Sequence, residues 1–259
     1  MDIHDEPLVI AGKTFKNRFL LGTGKFKNKA DLRESIESSG TEIVTVALRR
    51  IDLERHEENI LEHIPSNVAL LINTSGARDA KEALRIARLA RECGMGNWIK
   101  VEVINDSKYL LPDNSETIKA TAMLIKENFV VFPYMYPDLY VARELVKAGA
   151  ATVMPLGSLI GSNQGLKAEE FIKILINEID VPIIVDAGIG APSQAAQAME
   201  LGADAVLANT AVATAGHPSA LARAFSLAIA AGRLAYLSQL PERKTLASAS
   251  SPLTGFLYE

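Results

Sequence analysis

Hydrophobic and polar positions along the chain follow one repeated pattern. Short β-branched runs begin near Arg18, Glu42, Asn67, Asn97, Phe129, Ala151, Pro182 and Ala205, and each is followed by a stretch with helical spacing of apolar residues. Ahead of the first run, residues 8–15 alternate around Gly12 and predict a short β-hairpin. Several helices carry their own stop signals: 79–92 ends before Gly94, 138–148 before Gly149 and 193–201 before Gly202. Strands alternating with helices favour a parallel sheet, and eight repeats favour closing it. The prediction is an α/β chain, a single (β/α)8 TIM barrel over 1–259, with the hairpin at about 8–15 and a flexible tail at about 243–259. An open doubly wound sheet is the alternative, weakened because no Gly-x-Gly-x-x-Gly turn follows the first strand.

Composition changes this picture little. The chain has 259 residues, 48% hydrophobic and 22% charged, with a formal net charge of −4. That balance argues against a nucleic-acid partner, which needs clustered Lys and Arg. Residues 1–7 hold no apolar run resembling a signal peptide. The most apolar stretch, 220–237, is interrupted by Arg223 and Arg233 and reads as a helix with a buried face rather than a membrane span. One cysteine, Cys93, permits no internal disulfide. These features predict a cytoplasmic protein, without nucleic-acid or membrane partners. The four histidines, His4, His56, His63 and His217, are scattered, so neither a metal site nor a cofactor is expected.

Candidate chemistry concentrates on the fourth barrel strand, 97–103. Alternation turns Ile99, Val101 and Val103 to the helices and Trp98, Lys100 and Glu102 inward, with the two charges ~7 Å apart along the strand. Two readings fit an inward Lys100 and Glu102: a structural ion pair, or a lysine nucleophile with an acid–base partner. A nucleophile must be neutral, and lowering a lysine pKa from ~10.4 to ~7.5 corresponds to ~4 kcal/mol, which burial can supply against the opposition of Glu102. Asp186 is placed at the C-terminal tip of strand seven, where barrel active sites lie. Ala187, Gly188 and Gly190 follow it, and the two glycines, lacking a side chain, let backbone N–H groups approach a ligand closely. Strand eight ends in Asn209 and Thr210, with Ala211 and Val212 starting a short extra helix, and the strand-six loop, 157–165, bears Gly161. Loops after strands seven and eight are the common phosphate cradle of this barrel. Arg49 and Arg50 end strand two and suit an anion or an ordinary salt bridge.

Taken in order, residues 22–25, 44–50, 97–103, the strand-six loop, 185–190, 209–211 and 249–255 resemble the bacterial thiazole synthase family over almost the whole chain. The resemblance implies an enzyme that joins 1-deoxy-D-xylulose 5-phosphate, 2-iminoacetate and the sulfur of a small thiocarboxylated carrier protein into the thiazole phosphate carboxylate of thiamin biosynthesis. It implies an imine on Lys100, proton transfer by Glu102 and Asp186, and sugar-phosphate contacts at Gly161, Ala187, Gly188, Asn209 and Thr210. It also implies a homo-oligomer, a dimer or tetramer, and contact with an iminoacetate-forming enzyme. Ile72 and Leu159 replace family prolines, Asn163 replaces a family glycine, and residues 135–139 are unusually aromatic for the family. Another Schiff-base lyase or aldolase on the same barrel, and a sugar-phosphate-binding protein without catalysis, are the competing functions.

Overall fold

The computed structural model describes residues 5–48, 60–242 and 244–250. It opens with the hairpin, β1 (Leu8–Ile10) paired antiparallel with β2 (Lys13–Phe15). Ala11 and Gly12 turn it with φ of 47° and 78°, the two positive values that a tight primed turn needs. Eight parallel strands follow: β3 (Phe19–Gly22), β4 (Ile43–Ala47), β5 (Ala69–Asn73), β6 (Trp98–Val101), β7 (Val130–Met135), β8 (Met154–Pro155), β9 (Ile184–Val185) and β10 (Ala205–Ala208). Their order is β8-β7-β6-β5-β4-β3-β10-β9. Parallel bridges from Val153 to Ile183 and from Leu156 to Asp186 join the two ends, so the sheet closes as a barrel rather than remaining open.

Helices α1 (Lys29–Ser39), α2 (Ala80–Glu92), α3 (Asn114–Ile125), α4 (Leu139–Lys147), α5 (Glu169–Glu178), α6 (Pro192–Glu200), α7 (Thr210–Ala213) and α8 (Pro218–Leu237) surround it. The helix starts follow from local chemistry. Asp79 and Asp138 accept hydrogen bonds from first-turn N–H groups of α2 and α4, each such cap stabilising by about 1 kcal/mol. Pro192 opens α6, where its missing N–H costs nothing. The crossover after β4 departs from the simple repeat: its described part contains a 3₁₀ turn at Ile60–His63, while Arg49, Arg50 and His56 lie outside the described residues. The final segment is described only at 244–250, and the rest of the sequence-predicted tail, with His4 at the other end, lies outside them too. Helix α8 is long and apolar enough by length and composition to cross a membrane. Here it buries Ala222, Phe225, Ile229 and Gly232 and lays Phe225 on Phe19 of β3 with ring centroids 5.7 Å apart.

Period two along every strand determines the interior. One residue per strand, Leu20, Ile43, Leu71, Trp98, Phe132, Met154, Ile184 and Ala205, fills the lower barrel, and Leu8, Ile10 and Phe15 of the hairpin close it from beneath. Burying each large side chain in this layer contributes roughly 1.5–3 kcal/mol. The alternate residues, among them Leu21, Val44, Val46, Ile72, Ile99, Val101, Val131 and Val206, pack outward against the helices. Two residues further along the strands from the apolar plug, the inward positions become Thr45, Asn73, Lys100, Tyr134, Asp186 and Leu207, and the floor turns polar.

Candidate active site

That polar layer is the floor of a cavity of about 210 Å³ at the C-terminal end of the strands. A further step of two brings Ala47, Ser75, Glu102, Gly188 and Asn209 into its walls, and the β8–α5 loop adds Ile160, Gly161 and Asn163. Eight residues picked out from the sequence line this one cavity: Lys100, Glu102 and Asp186 below, with Gly161, Ala187, Gly188, Asn209 and Thr210 above.

Lys100 is 5% exposed and Asp186 3%, so their charges are met by protein rather than water. The Lys100 ammonium lies 2.9 Å from Glu102 Oε1 and is also paired with Asp186 Oδ2. Glu102 falls just beyond the last ladder residue of β6, and Thr74 holds it there. The Thr74 hydroxyl donates to the Glu102 carbonyl at 3.0 Å and accepts from the Glu102 N–H at 2.8 Å. Asp186 is fixed at the barrel seam, where its own N–H donates to the Pro155 carbonyl at 2.9 Å and its carbonyl accepts from Gly157 N–H at 2.8 Å.

This geometry overturns the expected pKa shift of Lys100. Burial does pull its pKa down, but the charges of Asp186 and then Glu102 outweigh burial and hold it above the ordinary lysine value. In the resting site Lys100 is therefore an ammonium. Asp186 shifts upward as well, because burial outweighs the attraction of Lys100 and the Glu102 charge adds to it. The ammonium thus has beside it a carboxylate with raised proton affinity.

The upper wall is built from two stapled loops. Gly165 N–H donates to the Gly188 carbonyl at 2.8 Å, tying the β8–α5 loop to the turn after β9. Ala187 and Gly188 both adopt positive φ, 63° and 74°, a conformation that costs Ala187 about 1–2 kcal/mol and persists because the seam bonds impose it. A Cβ on Gly188 would overlap the Ser158 hydroxyl, so that glycine makes room for the protein's own loop and not, as the sequence suggested, only for a ligand. Gly161, φ 73°, is different: a Cβ there would approach Lys25 Nζ at 3.0 Å and Thr210 Oγ1 at 3.6 Å, placing the Lys25 ammonium at the glycine-bearing loop. Asn163 stands at φ 55°, which explains why glycine is expected at that position and why asparagine, the non-glycine residue most at ease there, serves instead. The short extra helix expected from the sequence to begin at Ala211 is α7, which starts one residue earlier at Thr210, and the strand before it ends at Ala208.

Sequence reasoning did not place Tyr134, Asn73, Thr45 or Lys25 in the site. Tyr134 is 1% exposed, carries Lys100 Nζ over its ring at 5.3 Å from the centroid, and has its phenol raised well above its usual range by burial and by the charges of Asp186 and Glu102. Among the described residues no cluster of three His, Cys, Asp or Glu side chains could hold a metal ion.

With this constellation in place, a family model described as "Thiazole biosynthesis protein ThiG" matches residues 9–252. The chain belongs to the thiazole synthase family. It is 63% identical over 250 residues to the thiazole synthase of Heliobacterium modesticaldum, covering 96% of this chain and 98% of that one. Identity to the thiazole synthase of Pelotomaculum thermopropionicum is 61% over 253 residues, covering 98% and 99%. Among solved structures, a chain of the Amycolatopsis orientalis BexX/CysO complex matches with a TM-score of 0.83 at 32% identity, over 94% of this chain and 100% of that one. As a member of the thiazole synthase family the chain is a sulfur-transferring enzyme of thiamin biosynthesis.

Proposed function

We propose that the cavity holds 1-deoxy-D-xylulose 5-phosphate as an imine on Lys100 and builds the thiazole ring there from 2-iminoacetate and the sulfur of a thiocarboxylated carrier protein. The observation that carries this reading is a lysine nitrogen held between two buried carboxylates on the floor of a cavity roofed by glycine-bearing loops.

Chemistry begins with a proton moving from the Lys100 ammonium to Asp186, whose raised proton affinity favours it as acceptor. The freed amine adds to the C2 ketone, forming the N–C2 bond, and the ketone oxygen takes up a proton. The nitrogen passes a second proton to the carboxyl pair, which delivers it to the C2 hydroxyl as water leaves, giving the protonated imine. Glu102, on the other side of Nζ, is positioned to move the proton that turns the C2 imine into a C3 ketone. The carrier's sulfur adds at C3, water and the carrier leave, and 2-iminoacetate closes the ring and displaces Lys100. Backbone N–H groups at Gly161, Ala187, Gly188, Asn209 and Thr210 bind the phosphate, and the Lys25 ammonium beside Gly161 supplies its counter-charge. The similar chain solved in the BexX/CysO complex supports a protein partner for this one. The same reading carries a cytoplasmic homo-oligomer supplied by an iminoacetate-forming enzyme, and the exposed Leu227 and Leu234 on α8 support self-association.

Product analysis tests it. The purified protein with sugar phosphate, 2-iminoacetate and thiocarboxylated carrier should yield the thiazole phosphate carboxylate, and omitting the carrier should abolish it. Carbon–carbon cleavage of the sugar without the carrier would instead establish the lyase or aldolase reading.

A further inference from the structure

Among the described residues Tyr134 is the largest fully buried side chain, and its hydroxyl has no hydrogen-bond partner among them. A phenol oxygen is seldom buried unpaired, because leaving it so costs about 1–3 kcal/mol. Phenylalanine would fill the same space without that cost, and Phe132, one inward step below on β7, does so in the apolar plug. Yet Tyr134 stands in the layer that carries Lys100 and Asp186, and it lines the catalytic cavity.

Its position relative to Lys100 defines what it can reach. Nζ sits over the ring, 5.3 Å from the centroid. The phenol oxygen makes no direct hydrogen bond to Nζ. It is left to bond an atom of a molecule attached to that nitrogen. In a keto-sugar bound through C2, the oxygen on C3 is such an atom, two carbons along from the nitrogen. Glu102 and Asp186 flank Nζ and handle protons, but both are anionic and repel negative charge developing on O3; the neutral phenol, unpaired among the described residues and stacked beside Nζ, is able to donate to it.

We propose that the Tyr134 hydroxyl donates a hydrogen bond to the oxygen on C3 of the imine-linked sugar, the oxygen that becomes the ketone attacked by sulfur. This rests on the imine reading above. When the C3 proton leaves to a carboxylate, electron density flows through C2 to the imine nitrogen and O3 keeps its bonds. As a proton is returned to C2 and the O3 proton departs, charge builds on O3 and the phenol stabilises it without giving up its own proton. The same donor then polarises the C3 ketone toward the incoming thiocarboxylate.

The test uses the full-length enzyme with 1-deoxy-D-xylulose 5-phosphate in deuterated water and no sulfur donor. Exchange of solvent deuterium into C2, the step that forms the C3 ketone, is followed by mass analysis of the borohydride-reduced adduct, and total trapping at Lys100 is measured alongside. Tyr134→Phe should leave trapping within about 2-fold of wild type and slow exchange roughly 10²-fold, the scale of a lost oxyanion donor. Exchange at the wild-type rate would overturn the proposal. So would loss of trapping together with exchange in a folded variant, which would make the phenol a support for Lys100 only. If Tyr134→Phe does not fold, difluorotyrosine at position 134, which keeps ring and hydroxyl but makes the phenol more acidic, should alter exchange several-fold with trapping unchanged; an unaltered rate would overturn the proposal. Absence of trapping in the wild type is a separate outcome that defeats the imine reading itself.

Discussion

Replacing Lys100 with methionine removes the only cation from a buried group of three charges while keeping most of its apolar stem. In the wild type the raised pKa of Lys100 contributes stability that is fully present below its ordinary value of 10.5 and is lost as pH climbs through the folded-state value. In Lys100→Met only the backbone hydrogen bond from Ala187 N–H still opposes the burial and the Glu102 charge that lift Asp186 above its ordinary 3.8. A carboxylate raised in this way penalises the fold above its folded-state pKa. The penalty fades as pH falls through that value towards 3.8, where both states are protonated. Breaking a buried ion pair on one side costs about 3–5 kcal/mol, so urea unfolding at pH 8 should show a loss of that size. At pH 5 the loss should be smaller, because protonation of the raised Asp186 carboxyl removes part of the penalty. A variant as stable as wild type at pH 8, or a deficit that does not change with pH, would refute the assigned charge balance.

Asp186→Asn and Glu102→Gln should each reduce thiazole formation roughly 10²-fold or more with the fold retained, the scale of a lost general acid or base; wild-type turnover in either would remove that residue from the proton-transfer scheme. Lys25→Met should raise KM for the sugar phosphate about 10-fold with kcat little changed, since the ammonium at Gly161 is assigned to binding and not to chemistry; an unchanged KM would place the counter-charge elsewhere. Imine formation, followed by trapping rate against pH, should lose activity on an acid limb whose midpoint lies above 3.8, because protonating Asp186 removes the acceptor for the lysine proton. A rate that stays level down to 3.8 would contradict it.

Most of the barrel was legible because its signals are local. Strand runs, the Asp79 and Asp138 caps and the Pro192 helix start each depend on a few neighbouring residues. Inward placement of Lys100 and Glu102 was legible for the same reason, since charges interrupt an otherwise apolar strand. Tyr134 was not, because 130–135 is apolar on both faces and an aromatic there reads as core. The direction of the Lys100 shift was hidden by distance along the chain: the deciding charge, Asp186, sits on β9 and reaches β6 only when the barrel closes. Thr74 and Lys25 act through atoms brought close by strand register and loop path, which no spacing within 97–103 records. Gly188 was picked out correctly as a position that needs glycine, but the group that excludes a side chain is Ser158, from a different loop.

The most direct test of the account is covalent capture of the imine. An imine between Lys100 and the C2 ketone is reversible, and borohydride converts it to a secondary amine that survives digestion. Wild-type protein incubated with 1-deoxy-D-xylulose 5-phosphate and borohydride, without a sulfur donor, should carry the reduced sugar phosphate on the peptide containing Trp98 to Val101, with the added mass at Lys100. Lys100→Met should carry none. A wild-type protein that binds the sugar phosphate yet stays unlabelled, or that is labelled at Lys25 or Lys108 instead, would contradict the central claim.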